Sequence, residues 1–207
     1  MVVKRLMAGQ AAKPHGFMSR FVGRAMSKSN LESNKWMVSQ MDLNDGDDVL
    51  EIGFGPGTAI QEILEITKNG HVAGIDISRS MVDQATSLNE KAFTEGRLDL
   101  RMGEATSMPW PSNRFEKALA VNIIYLWPIL DPVLNEIKRV LKPNGTLALY
   151  LAPVEKMDAL GFSELDLFTI HTQEEVERAC KDAGFAKIEW TSAQIDEGTG
   201  VCVTAWK

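Results

Sequence analysis

The sequence contains little cysteine and lacks a long apolar run. Its two cysteines, Cys180 and Cys202, are too few for a disulfide framework and have no close Cys or His partner at metal-ligand spacing. The longest apolar run, residues 123–130, is far shorter than the ~18 residues of a membrane span. The first ten residues lack the apolar segment of a signal peptide. We therefore predict a soluble, cytoplasmic protein without a metal or integral membrane contact.

The charge is divided unevenly along the chain. The formal net charge is -6, yet residues 1–40 hold seven Lys or Arg against the single Glu32. A basic N-terminal segment of about +6 thus precedes an acidic body of about -12. Because the body shows no extended basic face, a nucleic-acid partner is not expected.

After residue 41, short β-rich runs alternate with helical patterns. Strands are predicted at residues 49–52, 71–77, 98–102, 115–121, 146–151, 185–191 and 200–206. The last two follow each other across an acidic, glycine-containing connection, which suits an antiparallel hairpin. The pattern predicts an α/β fold: a Rossmann-like, doubly wound, mostly parallel sheet of seven strands with helices on both faces. Ligands of such sheets bind at the carboxyl ends of the strands.

A glycine loop follows the first strand directly, with Gly53, Gly55 and Gly57 at alternate positions. Glycine lets a ligand approach the backbone closely, and the loop opens a helix whose N-terminus is partly positive. Thr58 stands where the dinucleotide fingerprint requires its third glycine, which argues against a pyrophosphate site. Asp76 ends the second strand, about 20 residues further on, where an acid can bind both hydroxyls of a ribose. Its alternative role is the N-cap of the next helix.

These segments together resemble one family. Glu51 with the glycine loop, Asp76, residues 103–105, residues 115–122 and the turn at 139–145 occur in the order found in class I S-adenosylmethionine-dependent methyltransferases. The chain is most similar to the methyltransferase type 11 group, over about residues 45–152. The resemblance implies a methyltransferase that uses S-adenosylmethionine and releases S-adenosylhomocysteine.

The resemblance also implies roles for individual residues. The three glycines would pack against the methionyl and ribose portion of the cofactor, and Glu51 would attract its amino group. Asp76 would bind the ribose. The implied cofactor-binding residues are Glu51, Gly53, Gly55, Gly57, Asp76, Ile77, Glu104, Ala105 and Asn122. Glu104 stands where the family more often has Asp, which keeps the charge.

Methyl transfer from a sulfonium needs alignment and exclusion of water, and a general base only if the acceptor atom carries a proton. His15 and Tyr125 are the candidate catalytic residues. His71 lies at the start of a strand, away from the site. His171 immediately precedes a capping box formed by Thr172 and Glu175, which favours a role in helix entry over catalysis.

The N-terminal segment, residues 1–41, is predicted to be a helical lid over the methyltransferase domain at residues 42–207. Ser29 and Glu32 resemble a second capping box within it. The predicted acceptor pocket is apolar and aromatic, and its residues are Phe17, Arg20, Trp36, Tyr125 and Trp127. The alternative is a helix that packs on the sheet edge and exposes a basic side.

The predicted acceptor is a small, apolar or aromatic molecule. Arg20 and its neighbours would also suit an anionic membrane surface, so a peripheral lipid or quinone methyltransferase is an alternative. A cofactor-binding protein without catalysis is another, and a nicotinamide oxidoreductase is the remotest. Residues 122–125 lack the two prolines of the corresponding segment in nucleic-acid amino-methyltransferases. The sequence does not determine whether the acceptor atom is N, O, S or C. It does not determine the oligomeric state either.

Overall fold

The computed structural model describes residues 23–24, 27–153, 168–195 and 198–207. Seven strands form one sheet. In chain order they are β1 (Val49–Ile52), β2 (Val72–Asp76), β3 (Leu98–Met102), β4 (Phe115–Ala120), β5 (Leu141–Leu151), β6 (Lys187–Ile195) and β7 (Gly198–Trp206). The spatial order is β3-β2-β1-β4-β5-β7-β6, and β7 runs antiparallel to both of its neighbours. The predicted parallel sheet with a C-terminal antiparallel hairpin is confirmed.

Helices cover both faces of the sheet. Those with both ends described are α1 (Leu31–Ser39), α2 (Thr58–Ile66), α3 (Arg79–Leu88), α4 (Glu90–Thr94), a 3-10 helix (Ile124–Leu126), α5 (Asp131–Val140) and α6 (Gln173–Asp182). Residues 23–24 and 27–29 are helical as well. One apolar cluster joins the sheet to α5 and α6, and a second joins it to α1, α2 and α3. None of the described helices is long and apolar enough to cross a membrane.

Burial follows the apolar stripe of each helix. In α5, Leu134, Ile137 and Val140 recur at intervals of three residues and are fully buried, as expected for one face of a helix. In α1, Met37 and Val38 are buried against the opposite face of the sheet. The end of the segment predicted as a lid therefore contributes directly to the core of the domain.

Of the two capping boxes predicted from the sequence, one is present in the structure and the other is not. Thr172 and Glu175 form the predicted capping box, with reciprocal bonds of 3.2 and 2.9 Å. The capping box predicted for Ser29 and Glu32 is wrong. The N-cap of α1 is Asn30, and the Ser29 hydroxyl donates to the Asn30 side chain instead.

The turn predicted before the fifth strand is part of that strand. Leu141 already pairs with Phe115, and regular pairing resumes between Thr146 and Lys117. The intervening residues form an irregularity in β5 at which Asn144 adopts a φ of 65°. The predicted strand at residues 146–151 is thus the regular part of a longer β5.

The strand order reverses at the centre of the sheet. From β1 the chain proceeds outward to β2 and β3, and then returns to place β4 on the other side of β1. The connections leaving β1 and β4 consequently diverge at their carboxyl ends. In sheets of this type the resulting crevice is the place where ligands bind.

Candidate active site

A cleft of about 270 Å³ lies at this crevice. It is bordered by the glycine loop, the end of β2, the segments after β3 and β4, and one side of α1. The predicted site residues that line it are Glu51, Gly53, Gly55, Asp76, Ile77, Glu104, Ala105, Asn122 and Trp127. The structure therefore brings together eight of the nine residues that the resemblance assigned to the cofactor; Gly57 does not line the cleft.

Asp76 is fixed by the backbone. Its Oδ1 accepts from the N–H of Ser78 at 2.8 Å and its Oδ2 from the N–H of Gly55 at 3.0 Å. Burial raises the pKa of Asp76, although both N–H bonds act in the opposite direction. The N-cap of α3 is Ser78, whose hydroxyl accepts from the N–H of Met81, so Asp76 is free of the capping role.

Glu51 presents a buried and unsatisfied carboxyl oxygen. The residue is 3 % exposed, and its Oε2 has no hydrogen-bond partner within the described part of the chain. Burial raises the pKa of Glu51 well above its ordinary range, and the nearby carboxyls of Asp76 and Glu62 add to this shift. A buried acceptor without a donor is costly. The cleft wall is therefore suited to a ligand that carries a cation or hydrogen-bond donors.

Two glycines of the loop are required for different reasons. Gly53 has a φ of +69°, and a Cβ there would lie 2.6 Å from Cγ1 of Ile123, which lines the cleft. Gly57 has a φ of +85°, and a Cβ there would lie 2.6 Å from Cβ of Ala85 in α3. Gly53 thus shapes the cleft, whereas Gly57 permits α2 and α3 to approach each other.

Helix α1 supplies part of the cleft that the sequence analysis missed. Asn30 and Asn34 line it, and Nδ2 of Asn34 donates to Oγ1 of Thr58 at 2.8 Å. A second bond, of 3.3 Å, connects Nδ2 of Asn122 to the Ser33 hydroxyl. Asn34 lies on the otherwise apolar stripe of its helix. A buried amide in that position was the available signal of a polar site.

Tyr125 is held as a donor. Its hydroxyl donates to Oδ1 of Asn122 at 2.6 Å, and burial raises the pKa of Tyr125 well above 10. Asn122 itself adopts a φ of 54°, which is uncommon outside glycine. Because the Tyr125 phenol is protonated and already donates to the Asn122 amide, we expect Tyr125 to position other groups and not to act as a general base.

A second cavity of about 380 Å³ lies at the same edge of the sheet. The two cavities adjoin at the 3-10 segment: Ile123, Leu126 and Trp127 line the cleft, and Ile124 and Tyr125 line the cavity. The other lining residues are Leu151, Ala152, Pro153, Ile170, His171, Thr172, Gln173, Thr199 and Val201. Most of its wall is apolar.

Of the predicted site residues not yet placed, Trp36 is the one that lies in the described part of the chain. Trp36 packs edge-on against Tyr150, with ring centroids 6.1 Å apart, and lines neither cavity. His15, Phe17 and Arg20 lie outside the described residues. Among the described residues, no group of three His, Cys, Asp or Glu side chains is placed to hold a metal ion.

Comparison with known proteins agrees with this geometry. Residues 43–189 match a protein family described as "Methyltransferase domain". The chain is 30% identical over 191 residues to the uncharacterized methyltransferase YdaC of Bacillus subtilis, covering 89% of this chain and 97% of that protein. It is also 30% identical over 128 residues to sterol 24-C-methyltransferase ERG6B of Gibberella zeae, but this match spans 62% of this chain and only 33% of that enzyme.

Solved structures share the fold. A methyltransferase of Haloferax volcanii, in complex with the activator Trm112, superposes with a TM-score of 0.76 at 19% identity, covering 89% of this chain and 92% of that one. Phosphoethanolamine N-methyltransferase 2 of Haemonchus contortus, in complex with S-adenosylhomocysteine, gives a TM-score of 0.72 at 16% identity. That match covers 92% of this chain and 59% of that one. At these identities the likeness concerns the fold alone.

Proposed function

Since the chain belongs to the class I S-adenosylmethionine-dependent methyltransferases, we propose that it transfers the methyl group to a small, apolar or aromatic acceptor by in-line displacement. The observation that supports this acceptor class is the pair of adjoining cavities. One has carboxylates and a glycine loop, and the other has a largely apolar wall. The two cavities adjoin at the 3-10 segment.

The first cleft fits S-adenosylmethionine. Glu51 has an orphaned, buried oxygen there, which the cofactor's amino group or positive charge would satisfy. Asp76, at the end of β2, would accept the ribose hydroxyls. Ile77 and Ala105 would contact the adenine, with Glu104 at its edge. When bound, the cofactor supplies an activated methyl group, so the protein needs to align the reactants and exclude water.

The second cavity is the proposed acceptor site. Its carboxyl-edge location places it beside β4 and β5, next to the cleft that would hold the methyl donor. Ile124, Leu151 and Val201 provide apolar surface, and the volume suits a molecule of one or two rings. Trp127 lines the first cleft next to the 3-10 segment, so its predicted contact with the acceptor would occur where the two cavities adjoin.

We assign the predicted lid role to the segment that precedes α1. Helix α1 itself carries Asn30 and Asn34 in the cleft wall. In this proposal, the segment attached to its N-terminus would cover both the cofactor and an acceptor. Phe17 and Arg20 would then contribute an apolar and a cationic contact, and His15 would be within the same segment.

The test is a transfer assay with the full chain and S-adenosylmethionine labelled in its methyl group. The acceptor panel contains one- and two-ring phenols, thiols and amines, with polar analogues of matched size as controls. We expect label in the apolar members. Transfer confined to the polar analogues would contradict the proposed acceptor class.

A lipid acceptor is the second candidate, because one curated relative is named a sterol 24-C-methyltransferase. In that case the basic N-terminal segment would bind to an anionic membrane surface. Co-sedimentation with phosphatidylserine vesicles, falling as salt rises, together with transfer to a sterol in the vesicle would favour this candidate. Lack of both would exclude it.

A further inference from the structure

The segment before α6 is attached to the wall of the second cavity by two hydrogen bonds. The N–H of Thr169 donates to the carbonyl of Tyr125 at 2.8 Å. Two residues further along each segment, Nε2 of His171 lies 2.9 Å from the carbonyl of Trp127. His171 is thus anchored beside the 3-10 segment at which the two cavities adjoin, and it is one of the residues that line the second cavity.

The hydrogen bond determines which ring nitrogen can act as a base. A carbonyl oxygen can only accept, so the proton must be on Nε2 of His171. A neutral imidazole carries one proton, and Nδ1 is therefore the nitrogen with a free lone pair. Within the described part of the chain, Nδ1 has no hydrogen-bond partner. It is the ring nitrogen left to meet a molecule in the cavity.

The surroundings favour a proton-bearing group on an apolar body. Tyr125 is the other titratable residue among the described residues that line the cavity, and its hydroxyl already donates to Asn122. The strands behind it present Leu151, Thr199 and Val201 to the same space. An imidazole facing an apolar cavity has few described competitors for the proton of a bound molecule.

We propose that the second cavity binds an acceptor whose attacking atom carries a proton, a phenolic or alcoholic hydroxyl or an amine, and that Nδ1 of His171 takes this proton. This proposal rests on the proposed function. The lone pair of the acceptor atom forms a bond to the methyl carbon, the carbon–sulfur bond breaks, and sulfur keeps its electron pair. The acceptor's proton moves to Nδ1, and the imidazolium later releases it to water. The Trp127 carbonyl stabilises the imidazolium, because a bond from a charged donor is stronger.

The tautomer can be observed without turnover. We would record long-range proton–nitrogen spectra of the full chain labelled with ¹⁵N-histidine and saturated with S-adenosylhomocysteine, at pH 8. The proposal expects the Nε2–H tautomer for His171, and a shift of its Nδ1 signal when 4-methylphenol, which keeps its proton at this pH, is added. An Nδ1–H tautomer would overturn the assignment of the base. Shifts at His71 alone, or no shift at His171, would overturn the assignment of the cavity.

Substitutions of His171 distinguish a role as the general base from a purely structural role. The amide of His171→Gln can still donate to the Trp127 carbonyl but cannot accept the proton. With the acceptor that turns over in the panel assay, its kcat should fall about 100-fold or more, while its affinity for S-adenosylhomocysteine stays unchanged. Added imidazole should restore part of the rate in His171→Ala. The control is His71→Gln, at a half-exposed residue beside Asp48 and far from both cavities.

The outcomes distinguish the two levels of the proposal. If wild-type protein binds the cofactor but labels no member of the panel, the proposed acceptor class fails. If wild-type protein labels an acceptor and His171→Gln retains its rate, the acceptor class stands and His171 is not the base.

Discussion

The carboxylate of Asp76 accepts a hydrogen bond from the backbone N–H of Gly55, 3.0 Å away, so the end of β2 holds the glycine loop of β1. The other oxygen of Asp76 is bonded to the N–H of Ser78 at the start of α3. The two loops at the carboxyl edge are thereby fixed relative to each other before a ligand arrives. Such preorganisation reduces the cost of binding.

Asp76→Asn should weaken the binding of S-adenosylhomocysteine about 10- to 100-fold, because a hydrogen bond to a charged group contributes about 1.5–3 kcal/mol. The new amide would also direct a donor at one of the two N–H groups. Isothermal titration calorimetry measures the effect. Asp83→Asn is the matched control, since Asp83 is exposed on α3 and pairs with Arg79. Full affinity in Asp76→Asn, or binding of NAD in place of the cofactor, would refute the assignment.

Glu51→Gln should stabilise the ligand-free protein at high pH. The pKa of Glu51 is raised in the folded state, so between its ordinary value of 4.5 and the folded value the native state holds a proton that the unfolded state has lost. Wild-type stability consequently falls as pH rises through this window, and the glutamine variant avoids that loss. We expect a gain of about 1–3 kcal/mol at pH 8 and none near pH 4.

Urea denaturation across this pH range gives the comparison. Glu65→Gln serves as the control, because Glu65 is exposed on α2. A Glu51→Gln protein less stable than wild type at pH 8 would show that Glu51 is satisfied by a partner in the folded chain.

Cofactor binding should release a proton from Glu51. A cationic amino group beside this carboxyl favours its ionised form and lowers its pKa, so at neutral pH the complex holds fewer protons than the free protein. Affinity should therefore increase as pH rises. Calorimetric enthalpies measured in phosphate and in Tris reveal the released proton, and Glu51→Gln should abolish the buffer dependence. Equal enthalpies for wild type in both buffers would mean that Glu51 does not meet the ligand's charge.

Gly53→Ala should damage the cleft. Its φ of +69° costs a residue with a Cβ about 1–2 kcal/mol, and the new methyl would press on Ile123, which lines the cleft. We expect at least a tenfold loss of affinity for S-adenosylhomocysteine, partly recovered in the double variant Gly53→Ala/Ile123→Ala.

Gly57→Ala provides the contrast, since its methyl would meet Ala85 in α3 and not the cleft. Its main effect should be a lower Tm. A Gly57→Ala protein with normal Tm and weak binding would reverse these two roles.

The sequence was sufficient for most of the local features, and the capping box predicted for Ser29 and Glu32 is the exception. The glycine loop, Asp76 and the capping box at Thr172 each depend on residues close together in the chain, and the structure places them as expected. Asn34 was not recognised as a cleft residue and His171 was assigned to helix entry, because their hydrogen-bond partners, Thr58 and the Trp127 carbonyl, lie far away in sequence. Hydrogen bonds of this kind arise from tertiary packing, which leaves no periodic signal.

Two truncations separate the lid from the helix that follows it. Deleting residues 1–22 leaves α1 in place, so binding of S-adenosylhomocysteine should persist while methyl transfer falls steeply, because only the proposed cover is lost. Deleting residues 1–40 also removes Met37 and Val38 from the core and Asn34 from the cleft wall. Burying one such side chain contributes about 1.5–3 kcal/mol, so the longer deletion should lower both Tm and affinity. If the shorter deletion kept full transfer, the N-terminal segment would not be a lid, and α1 alone would account for the N-terminal contribution to the site.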